Sequence, residues 1–446
     1  MNTFFRIKKT QPLKGTIEVC GAKNAVLVIM ASLILAPGKS TLRNVPVSSD
    51  VLTLIDLLRG LGADITFDTN RHTLEVDTST IMHDNIPAAI MKKMRASVLV
   101  MGPLLARFGR ATIALPGGCS IGKRPIDFHL KAFRQMGVRI EEEGEIVRAQ
   151  CQQLQSKKIV LEYPSVGATE NIIMAATLTK GTTTIIDAAV EPEVQDLIKI
   201  LQAMGANITT QAPATIIVEG VQRLNPVDHS ILPDRLEAGS LLVAAAITGG
   251  EVMISNARSF DMDVFLLKLQ EMGHTVISGD DGKGVYLKAT KNPIAISFKT
   301  GPFPGFPTDL QAPMMAALAL AEGQSIIDET VFENRMLHVD QLVKMGAQIE
   351  QTGSRAIITG VPQLIGTTVA ASDIRASCAL VLAGLVAEGT TIMTNIHHFD
   401  RGYDNLDEKL IKLGASIERF TEATDMLDAI TPMNRTESTI KEKNSI

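Results

Sequence analysis

A six-fold internal repeat constrains this chain more than any other feature. A Leu/Met-Gly signature recurs as LGAD, MGVR, MGAN, MGHT, MGAQ and LGAS. Its glycines are Gly62, Gly137, Gly205, Gly273, Gly346 and Gly414, at spacings of 75, 68, 68, 73 and 68 residues. Such periodicity marks a fold assembled from copies of one supersecondary unit. Ahead of each signature runs a helical apolar pattern. In the third copy it is Val194, Leu197, Ile198, Leu201 and Met204, and in the first Val51, Leu54, Ile55, Leu58 and Leu61. The glycine that follows suits the left-handed position just past a helix.

A second helix precedes each of these, ending at Gly38, Gly109, Gly181, Gly249, Gly323 and Gly389. Short β-prone runs follow both helices, such as Thr182–Ile186 and Asn207–Thr210, or Thr390–Met393 and Ser416–Phe420. The unit is therefore α/β: two helices and several short strands. Units of about 70 residues do not each carry a full core, so three and three should group into two globules of ordinary domain size. The alternative is an open solenoid, which also uses repeats, but these units are long and mix strands with two helices. Beyond about Thr424, polar residues replace the periodic apolar ones, and 424–446 reads as a disordered tail.

Composition excludes several classes. A net charge of −5 leaves no basic footprint for nucleic acid. Arg6, Lys8 and Lys9 have no apolar signal-peptide core behind them, and the longest apolar stretch, from Ala25 to Pro37, is too short to span a bilayer. A cytoplasmic protein with no membrane contact is expected. Cys20, Cys119, Cys151 and Cys378 show neither disulfide nor zinc spacing. No P-loop or GxGxxG follows a strand.

Alignment of the repeats exposes charge that composition hides. Arg95, Arg235, Asp309 and Arg375 each stand fourteen residues before the glycine ending the first helix, and Lys23 stands fifteen before Gly38. These are helix N-termini, where chemistry favours acids over cations. Arg124 and Arg401 share a slot at the second helix, with Arg335 nearby. Singly, each would be an ordinary surface ion pair. Together they predict a cationic cleft for a ligand bearing phosphate and carboxylate groups. Like charges across such a cleft should repel when it is empty and draw together on an anion.

Pro116 to Pro125, PGGCSIGKRP, places Cys119 in a glycine-rich loop beside Lys123 and Arg124 and just ahead of a helix. Cations and a helix N-terminus make a thiol reactive. A structural turn with an incidental cysteine is the bland alternative. Cys20 and Cys378 are expected to be packed in the apolar segments around them, and Cys151 to have no role.

Nine segments in order carry a family resemblance: GAKNA at 21–25, MRAS at 94–97, LPGGCSIGKRPIDFH at 115–129, PSVGATEN at 164–171, PDRLEAGS at 233–240, FPTDLQA at 306–312, ETVFENR at 329–335, DIRAS at 373–377 and DRGY at 400–403. From about Phe5 to Arg419 the chain resembles the enolpyruvyl transferases that act on UDP-N-acetylglucosamine, the UDP-N-acetylglucosamine 1-carboxyvinyltransferases. The resemblance implies an inverse α/β barrel of the enolpyruvyl transferase type: two similar domains, each of three units with helices inside and sheets outside. It places one domain at 23–232 and the other at 1–22 with 233–423, with the active site between them.

It further implies transfer of the enolpyruvyl group of phosphoenolpyruvate to the 3-hydroxyl of UDP-N-acetylglucosamine, opening peptidoglycan synthesis, with no metal, cofactor or obligate protein partner. Lys23 and Asn24 would hold phosphoenolpyruvate with Arg124 and Arg401, and Arg335 would lie nearby. Arg95, Arg124, Pro125, Ile126, Asp127, Phe128, Ser165, Val166, Asp309 and Val331 match positions that touch the nucleotide sugar. Cys119 matches the acid that protonates the methylene carbon. Asp309, the lone acid among the helix-start charges, is the candidate base; Lys23, Arg124 and Arg401 would stabilise the charged intermediate.

Tyr163 departs from the pattern, standing where some members place a lysine that reaches the diphosphate. Lys123 is an added charge beside the loop. The rival readings are a shikimate-phosphate enolpyruvyl transferase, which has no such cysteine loop, and a non-catalytic UDP-sugar sensor.

Overall fold

The computed structural model describes residues 3–82, 95–114 and 126–421, and the side chains of all of these but 95–97. All twelve repeat glycines have positive φ, from 69° at Gly249 to 128° at Gly38. At each Leu/Met-Gly signature the residue after the glycine donates its N–H back five positions. Ala63 to Leu58, Val138 to Phe133, Ala206 to Leu201, His274 to Leu269, Ala347 to Leu342 and Ala415 to Leu410 span 2.9–3.2 Å. This is a Schellman closure, which a left-handed residue makes possible and which sends the chain straight into the next strand.

Each first helix is followed by a strand: Lys39–Arg43, Arg110–Ala114, Thr182–Ile186, Glu251–Arg258, Gln324–Asp328 and Thr390–Thr394. Among the described residues these belong to six separate sheets, five of four strands and one of three. In five sheets a hairpin from the same repeat supplies the next two strands, as Asn207–Gln211 with Thr215–Glu219 does in the third. In the sixth, Thr3–Lys8 takes a hairpin place, between Thr390–Thr394 and Ser416–Thr421. The start of the chain thus pairs with the last repeat, unlike an open solenoid, in which only neighbours touch. Lys14–Ile17 pairs in parallel with Glu251–Arg258, and Asp228–Ser230 with Lys39–Arg43.

The first helices are apolar on every face and lie inside. Residues 25–32 of Lys23–Ser32 and 168–176 of Val166–Ala176 are buried, as is most of Arg235–Ile247, Gln311–Leu318 and Ile374–Gly384. A helix hydrophobic all round belongs in a core. Gly239 allows one close approach: a Cβ there would stand 2.5 Å from Leu310 Cδ1. Buried apolar residues form two clusters, one running from Ala22 to Leu232, the other joining Phe5–Val19 to Leu236–Ile417. These are the first and second halves below. The strand ends between them meet where Ala22 N–H donates to Leu232 O and Asp234 N–H to Cys20 O, both at 2.8 Å. Among the described residues no helix is long and apolar enough to cross a membrane.

Candidate active site

The helix-start charges lie where the repeat alignment puts them. Lys23 and Arg235 open their helices, Arg375 is second in Ile374–Gly384, and Asp309 lies in the short turn Thr308–Leu310 ahead of Gln311–Leu318. Arg95 opens a 3-10 turn, Arg95–Val100, its side chain lying outside the described residues.

The acids that helix chemistry calls for are present at the N-caps, one residue before Arg235 and two before Arg375. Asp373 accepts the N–H groups of Arg375 and Ala376 at 2.9 and 3.0 Å. Asp234 accepts those of Leu236 and Glu237 at 2.7 and 3.1 Å, and its other oxygen takes the Lys23 N–H at 3.3 Å. One carboxylate therefore caps a helix of each half.

The cations are also not left open. Lys23 Nζ lies 2.7 Å from Asp50 Oδ2, and Arg401 Nε 3.1 Å from Asp50 Oδ1. Arg335 and Arg375 grip the two oxygens of Asp309 at 2.6 and 2.9 Å. Arg235 makes a two-pronged pair with Glu193. The expected empty, self-repelling cationic cleft is therefore corrected: internal carboxylates neutralise part of the charge, and two of the pairs, Asp50–Arg401 and Glu193–Arg235, join the halves.

Asp50 and Glu193 escaped the sequence reading, although a signal exists. Asp50, Glu193 and Asp261 each stand twelve residues before a signature glycine, Gly62, Gly205 and Gly273. Alignment on cations alone passes over them.

Burial alone would push the Asp50 carboxyl up, but Lys23 and Arg401 outweigh it and hold it below its usual range. Glu170 is fully enclosed, and burial, then Glu193 and Glu191, raise it well above the ordinary value. Around Asp309 the charge is not exhausted: one terminal nitrogen of Arg335 and one of Arg375 are buried with no hydrogen-bond partner among the described residues. These are donors a ligand could satisfy.

The remaining expected site residues lie on several different elements. Asn24 is exposed beside Lys23. Ile126 is buried, Asp127 exposed and Phe128 half-buried at the start of Asp127–Gln135. Ser165 caps Val166–Ala176, its hydroxyl accepting from Ala168 N–H, and Val166 opens that helix. Val331 N–H donates to Glu329 at 2.9 Å. Tyr163 is half-buried, its phenol raised by burial and by Glu191 and Glu329. Cys119, Arg124 and Pro125 lie outside the described residues.

Cys378 is buried as expected. Cys20 is not packed among apolar groups; its thiol meets Asp404 at 3.3 Å and the Lys409 ammonium at 3.2 Å. Burial first, then Glu237, push it up to about 12. Burial also raises Cys151 and Cys378. None of the three described cysteines is activated as a thiolate. Cys20, His72 and Asp404 bring possible ligand atoms within 4.8 Å of one another, but the Lys409 ammonium already supplies positive charge there.

Comparison with known proteins agrees with this architecture. The family model of EPSP synthase (3-phosphoshikimate 1-carboxyvinyltransferase) matches residues 7–410. UDP-N-acetylglucosamine 1-carboxyvinyltransferase 1 of Caldanaerobacter subterraneus is 48% identical over 94% of this chain and 100% of its own length. The UDP-N-acetylglucosamine 1-carboxyvinyltransferase of Desulfosudis oleivorans is 48% identical over 92% of this chain and 97% of its own. Among solved structures, the enolpyruvyl transferase NikO of Streptomyces tendae superposes with a TM-score of 0.85 at 25% identity, covering 94% of this chain and 99% of that one. EPSP synthase of Acinetobacter baumannii shares the fold at a TM-score of 0.72 and 20% identity, covering 94% of this chain and 100% of that one. The fold is thus of the enolpyruvyl transferase type, and the chain belongs to the UDP-N-acetylglucosamine 1-carboxyvinyltransferases within the EPSP synthase family.

Proposed function

We propose that this chain transfers the enolpyruvyl group of phosphoenolpyruvate to the 3-hydroxyl of UDP-N-acetylglucosamine and releases phosphate, the first committed step of peptidoglycan synthesis. The observation that carries this reading is identity of 46–48% with UDP-N-acetylglucosamine 1-carboxyvinyltransferases over at least 92% of the chain. Phosphoenolpyruvate bears a phosphate and a carboxylate, and Lys23 and Arg401 converge from the two halves on one carboxylate. Such a pair suits an anion that is also recognised by Arg124.

The reaction is an addition followed by an elimination. The sugar oxygen adds to C2 of the enol ester while its proton passes to Asp309, and the Cys119 thiol protonates C3. Lys23, Arg124 and Arg401 offset the charge of the tetrahedral intermediate. C3 then gives its proton back and phosphate leaves C2, restoring the double bond as an enol ether. Both Asp309 oxygens are engaged by guanidinium groups, so the nucleotide sugar must draw one of these away before Asp309 accepts a proton. Arg95, Ser165, Val166, Val331 and the 124–128 segment surround the sugar nucleotide in this reading.

We assign 23–232 to one domain and 1–22 with 233–423 to the other, which the two apolar clusters and the pairing of Thr3–Lys8 and Lys14–Ile17 with second-half strands support. Both substrates are multiply charged and do not cross a bilayer unaided, so the cytoplasm is the compartment inferred. The test is release of phosphate from phosphoenolpyruvate. It should require UDP-N-acetylglucosamine; a requirement for shikimate 3-phosphate instead would move the chain to the other branch, and no release with either would leave a binding protein.

A further inference from the structure

Asp50 sits between the Lys23 ammonium and the Arg401 guanidinium, while Asp234 accepts the backbone N–H of Lys23. Its side chain is 9% exposed and that of Lys23 12%, whereas the Arg401 side chain is 35% exposed. One oxygen takes the Lys23 ammonium and the other the Nε of Arg401. Two positive charges thus face one negative charge. Arg401 meets Asp50 through Nε, not through its terminal nitrogens. The carboxylate is thus the most buried of the three side chains and the Arg401 side chain the most exposed.

This geometry has two consequences. The carboxylate collects a cation from each half into one place before any substrate arrives, sparing the substrate part of the ordering of two long side chains. It also weakens the attraction of those cations for a second anion, because its own charge repels that anion in a partly buried setting. A site with tight, uniform affinity for phosphate would hold product as firmly as substrate and gain nothing in rate.

We propose that Asp50 is the built-in anion of the phosphoenolpyruvate site: it aligns Lys23 and Arg401 in the empty enzyme, and its charge keeps phosphate affinity low enough for product to leave. This rests on the transferase reading for the identity of the substrate. Asp50 is a positioning residue; it makes no bond to the reacting atoms.

The test uses the full chain and inorganic phosphate, titrated calorimetrically at constant ionic strength into wild type, Asp50→Asn and Asp50→Glu. Asp50→Asn should bind phosphate at least about tenfold more tightly, and Asp50→Glu, which keeps the charge, should stay within about threefold of wild type. In turnover, Asp50→Asn should lower KM for phosphoenolpyruvate and kcat together, because phosphate leaves slowly. A purely structural role would lower kcat and leave phosphate affinity unchanged or weaker, and that result overturns the proposal. If Asp50→Asn melts too easily for titration, its melting temperature is compared in phosphate and in chloride of equal ionic strength. A larger gain in phosphate than wild type shows supports the proposal, since the external anion replaces the missing one; an equal gain overturns it. Absence of turnover in wild type would refute the transferase reading alone, because the phosphate titration still decides the role of Asp50.

Discussion

The guanidinium of Arg235 and the carboxylate of Glu193 meet in two parallel hydrogen bonds of 2.9 and 3.2 Å, both side chains nearly out of solvent. Arg235 opens a helix of the second half, and Glu193 lies in the first turn of a helix of the first. With Asp50 and Arg401, this pair ties the two halves by opposite charges. In the proposed reaction an anionic substrate competes with these internal carboxylates for their cations, an exchange of contacts whose balance only a ligand with different contacts in the two arrangements shifts.

That exchange gives a prediction for hydrogen exchange. UDP-N-acetylglucosamine should protect amides of 116–124 and of 308–312 together, since it would touch Arg95 in the first half and Asp309 and Val331 in the second. Equal protection of 116–124 with and without the sugar would mean a preformed site.

Cys119→Ser should lose at least about a hundredfold in kcat at neutral pH, within the range for removing a general acid. It should also escape alkylation by an epoxide that resembles phosphoenolpyruvate. Burial raises the thiols of Cys20, Cys151 and Cys378, so peptide mass spectrometry of wild type should find the adduct on Cys119. An adduct on any of the other three refutes the assignment.

Asp309→Asn should lower kcat at least about a hundredfold while changing affinity for the nucleotide sugar much less. The pairing with Arg335 and Arg375 adds a second expectation. Removing the charge leaves two buried guanidinium groups short of a partner, which should reduce stability by about 1–3 kcal/mol in denaturant melts, less than for a fully buried pair because Asp309 is partly exposed. Unchanged stability with preserved kcat would remove Asp309 from both roles.

Glu170→Gln should flatten the pH dependence of stability. Burial and the neighbouring Glu193 and Glu191 raise the folded-state pKa of Glu170 well above its ordinary 4.5. The folded protein therefore holds a proton that the unfolded chain gives up near pH 4.5. Stability from this group is full below that value and is lost as pH rises toward the raised one. At pH 8 the glutamine variant should exceed wild type by at least about 1 kcal/mol in denaturant unfolding. A steeper alkaline decline in the variant would show that Glu170 is charged and paired instead.

The repeat made the fold legible. Each Leu/Met-Gly signature needs a left-handed residue where a helix turns into a strand, and every one of those glycines has positive φ. Apolar periodicity marked the second helices, whereas the burial of the first ones on every face is seen only in the structure. Cys20 was misplaced because its neighbours in sequence are apolar, whereas its neighbours in space, Asp404 and Lys409, come from the far end of the chain.

By itself the sequence determined the α/β unit, its six copies, and the cations and cysteine loop that mark the family, because backbone stereochemistry and helix periodicity are local. Only the tertiary structure decided which charges meet. Asp50 and Arg401 are 351 residues apart, and Asp309 and Arg375 are 66 apart. A sequence shows that a side chain is charged; whether that charge is spent on an internal partner or left for a substrate depends on distances that exist only once the repeats have packed.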